Sequence, residues 1–124
     1  MENLTIASTE RSPAVEFDFD KGRLSFRGES YPEDASAFFG PIFSALDGFL
    51  SSRPALAVQF ELAYFNSSSA KAFMNILQKL EQAAQSGMTV CVDWRFAEGD
   101  DTMKEFGEDF AEDLEQVTFR LVPL

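Results

Sequence analysis

The stretch Asn66-Ser67-Ser68-Ser69-Ala70-Lys71 brings together one amide, three hydroxyls and one amine, at a point where a strand-like apolar run gives way to a helix-like one. Three chemistries fit these residue types. A hydroxyl at a helix start can cap the helix by accepting an orphan backbone N–H, contributing about 1 kcal/mol, and at least one of the three serines is expected to do so. Ser68 and Lys71 also match S-x-x-K, the pattern of a helix-start serine nucleophile beside a lysine, which points to a small Ser-Lys acyl-transfer enzyme. A hydroxyl here can instead accept phosphate. The group adds about −1.5 to −2 charges and three acceptor oxygens where the helix dipole and exposed N–H groups favour negative charge. Capping accounts for one serine and leaves two over.

The rest of the composition narrows the field. The sequence contains no histidine, so Ser-His and Cys-His nucleophiles and imidazole metal sites are excluded, and its single cysteine, Cys91, cannot build a thiolate metal site. No GxxxxGK[ST] or GxGxxG loop is present to cradle a nucleotide. Neither an SDN nor a KTG element accompanies Ser68 and Lys71, so the acyl-transfer pattern stands alone. Catalytic residues, metal and cofactor are all expected to be absent. The carboxylates of GDDTMKEFGEDFAEDLEQ fall mostly off the Met103, Phe106, Phe110 stripe, as on a solvated helix face, though a face this acidic could also steer a basic partner.

A formal charge of −11 repels nucleic acid and anionic headgroups, so neither is an expected partner. The N-terminus lacks the basic and apolar segments of a secretory signal, no apolar run approaches a membrane span, and an internal disulfide is impossible. A cytoplasmic protein is expected. Its 124 residues suit one domain, and an apolar fraction of 45% is enough for a real core.

The elements that must position the junction can be read from periodicity. Residues 1–13 form a loose arm with a short extended piece at Leu4 to Ile6, and residues 14–124 form the domain. Val15, Phe17 and Phe19 alternate with polar residues, Asp20-Lys21-Gly22 turns the chain, and Leu24 and Phe26 resume the alternation, which predicts a β-hairpin. A helix follows over about 32–51, with Pro32 in its first turn and Pro41 expected to kink or split it. A third strand covers ALAVQFELAYF, and a second helix, with Ala70, Phe73, Met74, Leu77 and Leu80 as its apolar stripe, covers 69–86. MTVCVDWRF is the fourth strand. Thr102 to Glu105 has capping-box spacing for a third helix reaching about residue 115, and VTFRLV is the fifth strand.

The order β-β-α-β-α-β-α-β predicts an α/β fold with a mixed five-stranded sheet and parallel later strands. Because every strand has one apolar and one polar face, the helices are expected mainly on one face. The other face, with Glu16, Arg23, Arg27, Gln59, Glu61, Asp93, Arg95 and Arg120, is left to solvent or a partner.

The succession SYPED..AFFGPIF, ELAYFNSSSAKAF, VDWRF and EFGEDF resembles the SiaC family of small bacterial regulatory phosphoproteins over nearly the whole chain. The resemblance implies a single STAS-like domain, of the anti-sigma-factor-antagonist type, that works without catalysis in a partner-switching module. In such a module a cognate Ser/Thr kinase adds a phosphate and a PP2C-type phosphatase removes it. The unmodified protein binds and activates a target, a diguanylate cyclase in the best-known branch, which ties the switch to cyclic-di-GMP and biofilm behaviour. Matched to the family's Asn-Thr-Ser-Ser motif and its following lysine, Asn66 takes the asparagine and Ser67 the phosphoacceptor. Ser68 and Ser69 take the two serines and Lys71 the lysine, and Asn66, Ser68, Ser69 and Lys71 form part of the partner-binding surface. Serine replaces the family's threonine at position 67, which makes Ser68 the second choice of acceptor. A plain assembly subunit whose serines only cap a helix is the remaining alternative.

Overall fold

The computed structural model describes residues 3–124. Alternation sets the sheet: β2 (Ala14–Asp18) buries Val15 and Phe17 on either side of exposed Glu16, and β3 (Arg23–Ser30) buries Leu24 and Phe26 between Arg23 and Arg27. The turn between them is fixed by the Asp18 carboxylate, which accepts the Lys21 N–H at 3.0 Å, and by Gly22 at φ 66. A Cβ on Gly22 would lie 3.0 Å from the Ala55 carbonyl oxygen, so this turn needs glycine for space as well as backbone freedom.

The sheet has six strands rather than the expected five, in the order β1-β2-β3-β4-β5-β6. The additional strand is β1 (Leu4–Ile6), from the segment read as an arm; it pairs antiparallel with β2, setting Leu4 opposite Phe17 and Ile6 opposite Val15. Three residues are too few for alternation to declare a strand, and pairing with a neighbour supplies what local pattern cannot. The hairpin is antiparallel, whereas β4 (Ala55–Phe65), β5 (Thr89–Phe96) and β6 (Thr118–Pro123) add in parallel, as the helical crossovers require.

Register lines up Phe26, Phe60 and Trp94 across β3, β4 and β5. Phe26 and Phe60 stack at 5.1 Å, and Phe60 meets Trp94 at 5.3 Å. Onto this row Phe73 of α2 (Ser67–Gln85) descends edge-on, 5.6 Å from Phe26 and 5.4 Å from Phe60. Phe39 of α1 (Ala35–Leu50) and Phe65 of β4 close around it at 5.6 and 5.7 Å. Phe49 of α1 meets Phe17, and Phe110 of α3 (Asp101–Ala111) meets Trp94, so all three helices pack on one sheet face. Across the opposite face run ion pairs of Glu61 with Arg27 and Arg95, and of Asp93 with Arg120.

Helix boundaries depart from the expected ones at their caps. α1 begins at Ala35 behind Asp34, whose carboxylate accepts the Ala37 N–H, so Pro32 lies before the helix rather than in its first turn. Pro41 sits within the one continuous helix, on its exposed side. α3 is capped by Asp100, which accepts the Met103 N–H at 3.0 Å, and not by a Thr102–Glu105 box; it ends at Ala111. Close approach of α3 to the sheet depends on Gly107, where a Cβ would come within 2.5 Å of the Trp94 ring. The Trp94 indole N–H donates to the Met103 carbonyl at 2.9 Å. Among the described residues no helix is long and apolar enough to cross a membrane.

Candidate functional site

The serine junction is built where β3 and β4 end side by side. Between Gly28 and Glu29 the pairing of β3 with β4 shifts register, and Ser30 comes to lie opposite Phe65. Two successive exposed residues, Ala63 and Tyr64, interrupt the alternation of β4 there, and Phe65 then turns inward. The Asn66 N–H donates to the Ser30 carbonyl at 3.0 Å, which fixes where the chain leaves the sheet.

Asn66, not a serine, caps α2. It is extended at φ −89 and ψ 178, its side-chain oxygen accepts the Ser69 N–H at 2.9 Å, and its carbonyl accepts the Ala70 N–H at 2.9 Å. Asparagine ranks with serine as a cap, and the residue nearest the strand took the role. The helix therefore starts at Ser67 instead of residue 69, and the three serines occupy its first turn.

Their environments then separate. Ser69 is fully buried, and its hydroxyl pairs with that of Ser30 at 2.7 Å; a hydroxyl removed from water needs such a partner. Ser67 and Ser68 are exposed. Both project from the positive end of a helix of 19 residues whose first turn carries no acidic side chain, a setting that favours an added anion. Lys71, also exposed, follows Ser67 by one helical turn. Ser68, Lys71, Ser36, Phe39 and Phe43 share a shallow groove of about 290 Å³ between α1 and α2. Among the described residues no hydrogen bond joins Ser68 to Lys71, so the orienting contact that an activated serine requires is missing.

Exposed apolar side chains lie near this corner, and two of them, Met74 and Phe106, are ones the periodicity assigned to core stripes. Met74 is 44% exposed, Phe106 38% and Tyr64 50%. Phe106 lies on Phe65 at 4.7 Å, immediately before the cap, and Tyr64 meets Tyr31 edge-on at 5.8 Å. The signal was present in the sequence. Phe73 and Met74 are adjacent, and neighbours on a helix point about 100° apart, so the one that fills the core turns the other out. On α3 the face toward Trp94 is set by Met103, Gly107 and Phe110, which leaves Phe106 at the rim.

At the far end of α2, Glu81 is 7% exposed, and its carboxylate accepts the backbone N–H groups of Glu115, Gln116 and Val117 at 2.9–3.1 Å, with the Gln85 amide at 3.2 Å. Burial pushes its pKa up, but the converging donors from Val117, Gln116, Gln85 and Glu115 outweigh that and hold it below the usual carboxylate value. This anchor ties α2 to the segment entering β6. Nothing in the local sequence announces it, because its partners are backbone groups more than thirty residues away.

Known proteins match this arrangement from end to end. The family model for "SiaC family regulatory phosphoprotein" matches residues 6–124. An uncharacterized protein of Pseudomonas aeruginosa is 39% identical over 115 residues, which cover 91% of this chain and 90% of that one. The solved structure of SiaC of Pseudomonas aeruginosa superposes with a TM-score of 0.94 at 35% identity, each chain covered completely. A chain from the crystal structure of the diguanylate cyclase SiaD in complex with its activator SiaC, from the same organism, matches at TM-score 0.94 and 35% identity, covering 98% of this chain and 99% of that one. With the family model matched over residues 6–124 and the fold shared end to end with SiaC, the chain belongs to the SiaC family of regulatory phosphoproteins.

Proposed function

We propose that this protein is a phosphorylation-controlled switch in a bacterial partner-switching module, acting in the cytoplasm by binding and not by catalysis. In its unmodified form it binds and activates a diguanylate cyclase. A cognate Ser/Thr kinase phosphorylates Ser67, which releases the cyclase, and a PP2C-type phosphatase restores the active form. The architecture is of the STAS-like, anti-sigma-factor-antagonist type.

The observation that carries this reading is the full-length likeness to SiaC, a protein solved in complex with a cyclase it activates. The junction adds a physical reason for a switch. Ser67 is exposed at the first helical position, next to a cap already satisfied by Asn66, so a phosphate can be added without dismantling the helix start. A dianion there must keep its hydration, and an apolar partner surface pressed against the same corner would have to strip it. Ser69 is unsuited as an acceptor because its hydroxyl is buried against Ser30. Ser68, exposed beside Ser67, is the second acceptor. Asn66, Ser68, Ser69 and Lys71 shape the partner-facing surface, Ser69 from within.

The test reconstitutes the cognate kinase and cyclase. Wild type is expected to activate the cyclase until phosphorylated, with one added phosphate mapping to the peptide containing residues 54–71. Ser67→Ala should resist the kinase and activate constitutively, and Ser67→Asp should activate less. If the kinase labels Ser67→Ala as well as wild type while Ser68 is intact, the acceptor is not Ser67. Equal activation by the phosphorylated and unmodified proteins would sink the switch altogether. The acyl-transfer alternative makes a separate prediction, covalent labelling of Ser68 by an acylating probe that disappears in Lys71→Ala.

A further inference from the structure

The sheet has one covered face and one bare face. β3, β4, β5 and β6 run parallel, and parallel strands are ordinarily covered on both sides, yet all three helices pack on the same side. The bare face is also where charge is most nearly balanced in a chain of net charge −11. Five of the ten Lys and Arg residues, Lys21, Arg23, Arg27, Arg95 and Arg120, stand there against the carboxylates of Glu16, Asp18, Glu61 and Asp93. On the helix side, residues 100–115 carry eight carboxylates and one lysine, so two copies of the chain repel across that layer. The bare sheet is where they can approach.

Register shows how the charges would meet. Glu16, Ser25, Gln59, Asp93 and Arg120 form one row across β2 to β6. Asp93 and Arg120 pair at 2.7 Å, whereas Glu16 and Arg23, both exposed, make no ion pair among the described residues. Arg23, Ala57 and Cys91 form the next row along the strands. The small side chains of Ala57 and Cys91 floor a hollow of about 450 Å³, lined also by Arg23, Asp93 and Arg120. A two-fold axis laid along β4 brings β6 of a second copy over β2, and β5 of the second copy over β3. Arg120 of the second copy then meets Glu16. Arg23 enters the hollow of the second copy above Cys91, where Asp93 is within its reach. Each charge left unpaired in the monomer faces an opposite charge, and both contacts occur twice, as an isologous interface requires.

We propose that the bare sheet face is a self-association surface on which two copies of this chain form a reversible two-fold dimer, with Glu16 against Arg120 and Arg23 against Asp93 across the contact. Six strands about 4.8 Å apart and about 20 Å long offer about 500 Å² per copy, at the low end of specific interfaces. The same axis sets Arg27 against Arg95 of the second copy, which lowers affinity further. The dimer is therefore weak and concentration-dependent. It leaves both helix layers and both Ser67 corners facing outward, and it does not depend on the regulatory reading of the junction.

The experiment follows the full-length protein by analytical ultracentrifugation and backbone amide NMR from about 10 μM to about 1 mM, the range suited to a small interface. Wild type should pass from monomer to dimer at the upper end, with concentration-dependent shifts on the outward residues of β2 to β6. The single cysteine reports the same event, since the Cys91 thiol should react more slowly with a disulfide reagent once Arg23 of the second copy lies above it. Glu16→Lys and Arg120→Glu should each weaken self-association by about tenfold or more. An equimolar mixture of these two variants should restore a dimer containing one of each, because every reversed charge then meets its opposite. Both positions are exposed, and a dispersed amide spectrum verifies that each variant folds. Monomer at every concentration, shifts confined to the helix layer, or a mixture no tighter than its components would overturn the proposal. So would a monomer whose outward sheet residues shift only when polyglutamate is added, which would assign the face to an acidic partner instead.

Discussion

The two ends of α2 handle negative charge in opposite ways. At its C-terminal half a permanent carboxylate, Glu81, is buried and surrounded by three backbone N–H groups and an amide, so the charge holds two segments together. At its N-terminus no charge is present, the Asn66 cap is complete, and two hydroxyls face solvent. A charge whose donors are all committed is structural, and its loss is felt as stability. A charge added where the fold does not depend on it leaves stability nearly untouched and changes what can dock. On the proposed reading, the helix separates the part that keeps the fold from the part that receives the phosphate.

Removing the Glu81 charge is the largest perturbation that separates the two ends. Glu81→Gln keeps the size but can no longer accept as a carboxylate from residues 115–117, and it should lower stability by about 1–3 kcal/mol in urea or thermal unfolding. Hydrogen exchange at residues 115–117 should rise in step, while phosphorylation at the junction proceeds as in wild type. Acid offers the same test without mutation. The folded-state pKa of Glu81 lies below its ordinary 4.5, so its contribution is fully present above that value and is lost as the pH falls through the folded pKa. Stability measured downward from pH 5 should therefore drop more steeply in wild type than in Glu81→Gln. Parallel curves would mean that Glu81 is not the anchor.

A smaller effect belongs to the buried hydroxyl pair, which sits between the two extremes. Ser69→Ala leaves the Ser30 hydroxyl buried without its 2.7 Å partner and should cost about 1–2 kcal/mol. Removing both hydroxyls, Ser30→Ala with Ser69→Ala, should cost no more than the single change, since neither apolar replacement leaves a polar group stranded. Additive losses would show that Ser69 supports the junction by some other contact.

Most of this architecture is written in short-range pattern. Val15 to Phe17, Leu24 to Phe26 and Leu56 to Leu62 alternate and are strands; Phe73, Leu77 and Leu80 recur at helical spacing and are core. Parallel order and one-sided helix packing followed from the crossovers and from the polar faces of the strands. Features that depend on distant partners were not legible. Leu4 to Ile6 becomes a strand only because β2 offers an edge. Asn66 won the cap because pairing of the last β4 residues with β3 fixed where the helix could begin. Glu81 looks like any exposed helix glutamate until residues 115–117 arrive beside it. The three serines lay in plain view, but their division into one structural and two exposed hydroxyls needed Ser30, far away in sequence.

The smallest expected change in stability accompanies the largest expected change in behaviour. Ser67 is exposed and its hydroxyl makes no hydrogen bond among the described residues, so Ser67→Ala should shift unfolding free energy by no more than about 0.5 kcal/mol. Asn66→Ala, by contrast, removes the cap oxygen from Ser69 N–H and should cost about 1 kcal/mol. If serine 67 were itself the structural cap, the order of these two variants would reverse. Measured by urea unfolding beside Glu81→Gln, the series 81, 66, 67 should descend in cost while kinase labelling is lost only at the last. A regulatory hydroxyl is recognised by that mismatch: the fold can discard it, and the module cannot.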